Sequence, residues 1–340
     1  MRDKDSVIPS SSIALGGPGL AALGVLVFSF TFPATVLALD GLDPYLVGVG
    51  RAGAAALLAA VALAAARVPW PRRAQWPGLF GVGLGVIVGF PVLSTVALDQ
   101  GASSSHAAVV IGLLPAATAV LAVLRAGERP SRAFWLASGA GAVCVAAFAL
   151  SRGAGHLAPA DLLLFAALGL GAVGYTEGGR LAREMPGWQV ISWALVFAAP
   201  VCAPVTIWLL TTTEPQWTGR ALTGFAYVAL GSMYLGFFAW YAGLARGGIA
   251  RAGQVQLAQP VLTLVWSALL LGEAVDAPTV LAALGILVCV ALTQRTRAGT
   301  ARPARPSEPS EQVLNEAGLV MAGNRCLAGK ENSTFGSSRL

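Results

Sequence analysis

Ten apolar runs, each near the length of a bilayer-spanning helix, constrain this 340-residue chain more than any other feature. They cover 17–39, 45–66, 78–97, 103–124, 133–150, 162–182, 189–210, 221–244, 252–271 and 279–294, joined by short connections containing Pro, Gly, Asp or Arg. A helix rises about 1.5 Å per residue, so crossing roughly 30 Å of hydrocarbon takes about 20 apolar residues. No water reaches backbone N–H and C=O groups there, so a spanning segment must be a helix or part of a closed barrel. Runs this long lack the alternation of barrel strands. The chain therefore reads as an all-α integral membrane protein of ten transmembrane helices. Charged residues make up only 11% of it, against about 25% in a soluble domain.

The first run, Gly17 to Leu39, spans 23 residues. A signal-peptide core is about 7–15 residues long, and no convincing small-x-small cleavage site follows, so this run is expected to stay as the first span. Arginines orient the rest. With the N-terminus inside, the inner loops and helix ends hold Arg67, Arg72, Arg73, Arg125, Arg129, Arg132, Arg180, Arg183, Arg246 and Arg251, and the outer loops only Arg152 and Arg220. That ten-to-two bias follows the positive-inside rule and puts both termini in the cytoplasm, with the protein in the cell membrane. The net charge of +6 is spread over loops and tail, without the single basic patch that nucleic acid would require. Residues 1–16 read as a short cytoplasmic N-terminus. Residues 295–340 are polar and rich in Pro, Ser, Arg and Glu, and read as a disordered cytoplasmic tail.

The chain also repeats itself. A shift of 145 residues lays Ala21-Ala22-Leu23-Gly24 on Ala166-Ala167-Leu168-Gly169, Pro115 on Pro260, Thr118 on Thr263, and Gly127-Glu128 on Gly272-Glu273. It also lays Val143-Cys144-Val145-Ala146 on Val288-Cys289-Val290-Ala291. Over 97–146 against 242–291, fifteen of fifty positions are identical. The repeats span 17–150 and 162–294, five helices each. An odd number of spans sends the second repeat in from the opposite face, giving an inverted pair, a recurring device of secondary transporters.

On these residues the chain resembles the EamA type of the drug/metabolite transporter superfamily. The carriers are Pro115-x-x-Thr118 to Gly127-Glu128, their copies Pro260-x-x-Thr263 to Gly272-Glu273, and Arg51 in the second span. The resemblance covers roughly 15–295. In the first span the family's usual tryptophan-glycine step is replaced by Phe28-Ser29-Phe30-Thr31-Phe32-Pro33. The resemblance implies a central cavity formed by both repeats and, commonly, efflux of metabolites, amino acids or toxic compounds.

Polar groups in the spans are the candidate substrate path, because each is costly in hydrocarbon. Arg51 reads either as a cavity cation for an anionic partner or as a structural arginine satisfied by backbone carbonyls. Glu177 reads as a coupling carboxylate or, preferably, as an i,i+3 ion pair with Arg180. Gln254, Gln256 and Gln259 make the start of the ninth span polar, where the fourth has apolar residues at Ile111 and Leu114. Gln256 and Gln259 share a face, as ligand contacts or as glue between helices. Phe30, Tyr175, Trp240 and Tyr241 are placed to line a cavity, and the 145-residue shift makes Phe30 and Tyr175 equivalents. Pro115 and Pro260 are hinge candidates. Glu128 and Glu273, each after a glycine, are expected to end or cap helices.

Four cysteines without a C-x-x-C, and two histidines, argue against a disulfide framework, a metal site or a resident cofactor. No phosphate-binding G-x-x-x-x-G-K-[ST] loop is present, so energy would come from an ion gradient, from exchange or from the substrate itself. The expected function is a secondary transporter, an exporter of a small metabolite, amino acid or drug-like molecule. A membrane enzyme or scaffold acting on a lipid-linked substrate is the alternative, and the spans hold no acid, base or metal constellation to support catalysis.

Overall fold

The computed structural model describes residues 16–126, 131–152, 157–247, 255–256 and 258–298, and among them all regular structure is helical. The N-terminal and C-terminal segments, Glu128, Arg129, Gln254 and Arg251 lie outside these residues. In chain order the helices are α1 (Gly17–Ser29), α2 (Thr31–Leu39), α3 (Pro44–Ala65), α4 (Trp76–Val82), α5 (Phe90–Asp99), α6 (Ser104–Ile111) and α7 (Leu114–Ala126). There follow α8 (Arg132–Arg152), α9 (Pro159–Leu181), α10 (Gly187–Thr212), α11 (Gly219–Ala226), α12 (Gly236–Gly247), α13 (Ala258–Leu271) and α14 (Ala277–Ala298). Wider π turns join α4 to α5 over Gly83–Gly89 and α11 to α12 over Tyr227–Leu235.

Six stretches are long and apolar enough to cross a membrane: Gly19–Leu39, Pro44–Ala65, Arg73–Asp99, Pro159–Leu181, Gly187–Thr212 and Gly219–Arg246. Shorter apolar helices cover Ser104–Thr118, Trp135–Phe148, Ala258–Leu271 and Ala277–Cys289. Large side chains such as Leu57, Leu136, Val143, Leu269 and Leu281 stand exposed along these helices. In water that surface would drive aggregation; in lipid it is the expected outer face. The molecule is a multi-pass membrane protein.

Two spans expected to be continuous are broken, and prolines explain both breaks. Pro33 has no N–H to give the Ser29 carbonyl, and the helix breaks at Phe30 between α1 and α2. The hydroxyl of Thr263 on α13 takes up the freed carbonyl, donating to it at 2.9 Å. Pro115 likewise leaves the Ile111 carbonyl without its donor, and the chain turns at Gly112-Leu113 before restarting as α7. Elsewhere α10 runs on through Pro200 and Pro204.

Helices pair in a definite pattern. The most extensive contacts are α3 with α10, α1 with α12, α8 with α14, and α5 with α9; α6 lies on α13. Small residues allow the closest approaches. A Cβ on Gly85 would lie 2.6 Å from the Gly174 nitrogen and the Leu170 oxygen, so the π segment meets α9 backbone to backbone. Gly81 abuts Glu177 and Gly89 abuts Leu170 in the same seam.

Polar contacts join several helix ends. Asp40 pairs with Arg220 at 3.0 Å, and the Gln216 N–H donates to the Gly41 carbonyl at 2.8 Å. The starts of α6 and α9 meet through His106 and Asp161, and the end of α13 meets the start of α6 through Glu273. At the opposite helix ends, Gln75 donates to Glu184 at 3.1 Å.

Candidate functional site: a buried cavity at Arg51

Arg51 lies on α3, a helix started by Pro44 and capped by the Asp43 carboxylate, which accepts from the Tyr45 and Leu46 N–H groups. It is among the largest fully buried side chains, only 2% exposed. Its Nε and Nη2 have no hydrogen-bond partner. No backbone carbonyl accepts from either of these two nitrogens.

Arg51 lines a small cavity of about 40 Å³. Phe28, Thr31, Phe32, Val86, Phe90, Pro91 and Leu114 contribute from the first half of the chain, and Gly171, Tyr175, Ser232, Met233, Phe237 and Gln259 from the second. Thr31 and Ser232 share a buried 2.7 Å hydrogen bond across the cavity wall. The Gln259 side-chain oxygen has no partner. The helix break at Phe30 and the π segment of 227–235 place Thr31 and Ser232 there, which is what irregular backbone in a membrane protein commonly does: it lines a cavity. Gln259 also borders a second, smaller cavity with Gln256, Pro115, Pro260 and Thr263.

The structure brings Arg51, Tyr175 and Gln259 to one cavity, and Gln256 with Pro115 and Pro260 to its neighbour. A Cβ on Gly112 would sit 3.0 Å from the Pro260 Cγ, so the break before Pro115 packs directly on the second proline. Other candidates lie elsewhere. Phe30 points away and stacks on Trp266, with ring centroids 4.3 Å apart and planes 16° apart. Its equivalence to Tyr175 under the repeat does not extend to the cavity, because Phe30 sits at the Pro33-induced break and Tyr175 inside an unbroken helix. Trp240 and Tyr241 stand behind the lining: Trp240 packs on Tyr175 at 5.4 Å and Tyr241 on Phe237 at 5.2 Å. Glu177 is buried and ion-paired to Arg180 at 3.2 Å, and Arg180 also reaches Glu184 at 3.3 Å. That is the i,i+3 pairing expected near a helix end.

Two polar clusters lie outside the cavity, and the pairing of His106 with Asp161 was not singled out from the sequence. His106 Nε2 lies 2.6 Å from Asp161 Oδ1, both buried, and the other Asp161 oxygen accepts the Ala158 N–H at the start of α9. The usable signal is positional, since each residue sits three places into a helix that begins after a short loop. Glu273 follows Gly272, whose φ of +67° ends α13, but it caps α6 rather than its own helix. Among the described residues, no three His, Cys, Asp or Glu side chains gather as a metal site.

Long apolar helices with exposed apolar faces, packed around a buried cavity, define a class: multi-pass membrane proteins. The chain belongs to the EamA-like transporter family, whose domain it matches twice, over residues 15–151 and 158–295. It is 43% identical over 276 residues to the uncharacterized transporter YdeK of Bacillus subtilis (strain 168), an alignment covering 80% of this chain and 95% of that protein. A protein of known crystal structure shares the fold, with a TM-score of 0.58 at 20% identity, covering 82% of this chain and 97% of its own. Family and relative make this a membrane transporter, and point to transport rather than catalysis.

Proposed function

We propose that this protein is a secondary transporter of ten spans in two inverted five-helix repeats, which exports a small molecule by alternating access through the Arg51 cavity. The observation that carries the reading is the composition of the cavity wall, built from both family domains around a buried guanidinium without a partner. A site shared by two halves can be opened to either face when the halves change packing.

The helix contacts support a two-fold relation between the repeats, and the odd number of spans in each supports inversion. Exchanging the repeats converts the α1–α12 pairing into that of α9 with the α4–α5 span, and both are extensive. The same exchange maps α3–α10, α6–α13 and α8–α14 onto themselves, as a two-fold relation requires. The breaks beside Pro115 and at Phe30 are natural places for such a change, because interrupted helices bend where an i→i−4 bond is already missing. The arginine distribution supports cytoplasmic termini and the cell membrane.

The test is solute flux in proteoliposomes holding the purified protein. Arg51-dependent movement of a small solute is expected; a panel of amino acids, organic acids, sugars, nucleosides and cationic drugs that never moves, with or without a pH gradient, would count against transport. Orientation is checked in a cysteine-free background. A cytoplasmic thiol reagent should reach a cysteine placed at Arg129 and not one placed at Asp276, and the reverse would overturn the topology.

A further inference from the structure

The groups lining the cavity also state the charge its ligand must carry, given the reading of that cavity as the transport site. Arg51 brings one permanent positive charge, because a guanidinium stays protonated. Two of its nitrogens have no acceptor. Among the described residues no carboxylate lines this cavity or the one beside it. The remaining polar groups are neutral: the Thr31–Ser232 hydroxyl pair, Gln259 and Tyr175.

Acids near the helix ends are committed elsewhere. Asp161 is on His106 and Ala158, Glu177 and Glu184 are on Arg180, Glu273 is on α6, and Asp40 is on Arg220. None is placed to neutralise Arg51. A lone cation in such a site is costly, and an anion entering the cavity relieves that cost.

Three features then select among anions. A planar guanidinium matches a carboxylate through paired N–H···O bonds. One carboxylate balances one arginine, whereas a dianion would leave a net charge in the low-dielectric interior. Phe28, Phe32, Phe90, Phe237 and Leu114 form a compact apolar wall for the rest of the ligand. A ligand ammonium would find the neutral Gln259 oxygen as an acceptor but no carboxylate to balance its charge, so it and Arg51 would repel in a medium that screens them poorly.

We infer that the cavity binds a compact monocarboxylate with an apolar or aromatic body and no ammonium group: an organic acid rather than an amino acid or a cationic drug.

Three probes sharing a phenethyl body separate these classes: 3-phenylpropionate, phenylalanine and phenethylamine. Binding is read by intrinsic fluorescence and by thermal shift of the purified full-length protein in detergent. Saturable binding of 3-phenylpropionate is expected, at least about ten-fold tighter than phenylalanine, with none for phenethylamine. Arg51→Gln should weaken it by at least about ten-fold, and Arg51→Lys, which keeps the charge but loses the fork, by less. Failure of 3-phenylpropionate to bind, binding of phenylalanine at equal or higher affinity, or binding of phenethylamine would each overturn the inference. The wild-type comparison stands even if an Arg51 variant does not fold. Flux of the same probes in proteoliposomes separates the two readings. Binding of 3-phenylpropionate without flux sinks transport and keeps the ligand class; flux of phenylalanine without binding of 3-phenylpropionate does the reverse.

Discussion

Glu273 places its carboxylate on the first turn of a helix 168 residues away from it. One oxygen accepts the Ser104 N–H at 2.9 Å, and the other accepts the N–H and hydroxyl of Ser105 at 3.0 and 2.6 Å. Ser267, on the last turns of α13, adds a 2.8 Å bond to the Ser104 hydroxyl. A carboxylate at a helix N-terminus satisfies donors that have no intrahelical acceptor and complements the helix dipole. Glu273→Ala should therefore cost about 1–2 kcal/mol, read as a lower unfolding temperature. Glu273→Gln, which keeps one acceptor, should cost less. No change in the Ala variant would mean that the bonds contribute nothing to holding α6 on α13.

Arg51→Met should have the opposite sign. Removing a buried charge that has no partner in the protein relieves desolvation, so the unliganded protein should gain about 1 kcal/mol or more. Binding and flux should fall at the same time. If the variant is instead strongly destabilised in thermal unfolding, Arg51 is a structural residue and the site assignment fails.

The His106–Asp161 pair predicts a graded series. His106→Leu leaves one oxygen of a buried carboxylate without its partner, at a cost of roughly 2 kcal/mol. His106→Gln, able to donate a hydrogen bond, should recover part of that. Combining His106→Leu with Asp161→Asn should cost less than the two single changes added together, since both remove the same interaction. Additive losses in thermal unfolding would show that the 2.6 Å contact does not couple the starts of α6 and α9.

Gly85 should tolerate no side chain. A methyl group there would lie 2.6 Å from the Gly174 nitrogen and the Leu170 carbonyl oxygen, backbone atoms that can move only by shifting the helix. Gly85→Ala is expected to cost about 1–3 kcal/mol. Gly139, facing open space on α8 with nothing within 4 Å, is the control: Gly139→Ala should be neutral or slightly stabilising. Equal effects at the two positions would remove the close approach of α9 as the explanation.

Much of the fold is legible in the sequence, because the bilayer acts on the sequence directly. Hydrocarbon thickness sets the length of each apolar run, and unsatisfied backbone is so costly there that a run of that length must be helical. The 145-residue repeat, with Pro115 and Pro260 in register, gives the two family domains, and Arg51 stands out because a guanidinium in a span needs an explanation. The lateral arrangement was decided only by the tertiary structure. In lipid one apolar helix face is nearly as good a neighbour as another, so side-chain shape and the closeness allowed by residues such as Gly85 and Gly174 choose the partners. That is why the repeat pairs Phe30 with Tyr175 in the alignment while Pro33 sends Phe30 onto Trp266 and leaves Tyr175 at the cavity. It is also why the sequence could name Arg51 as a candidate and leave its partners open, while three-dimensional packing left two of its nitrogens without one.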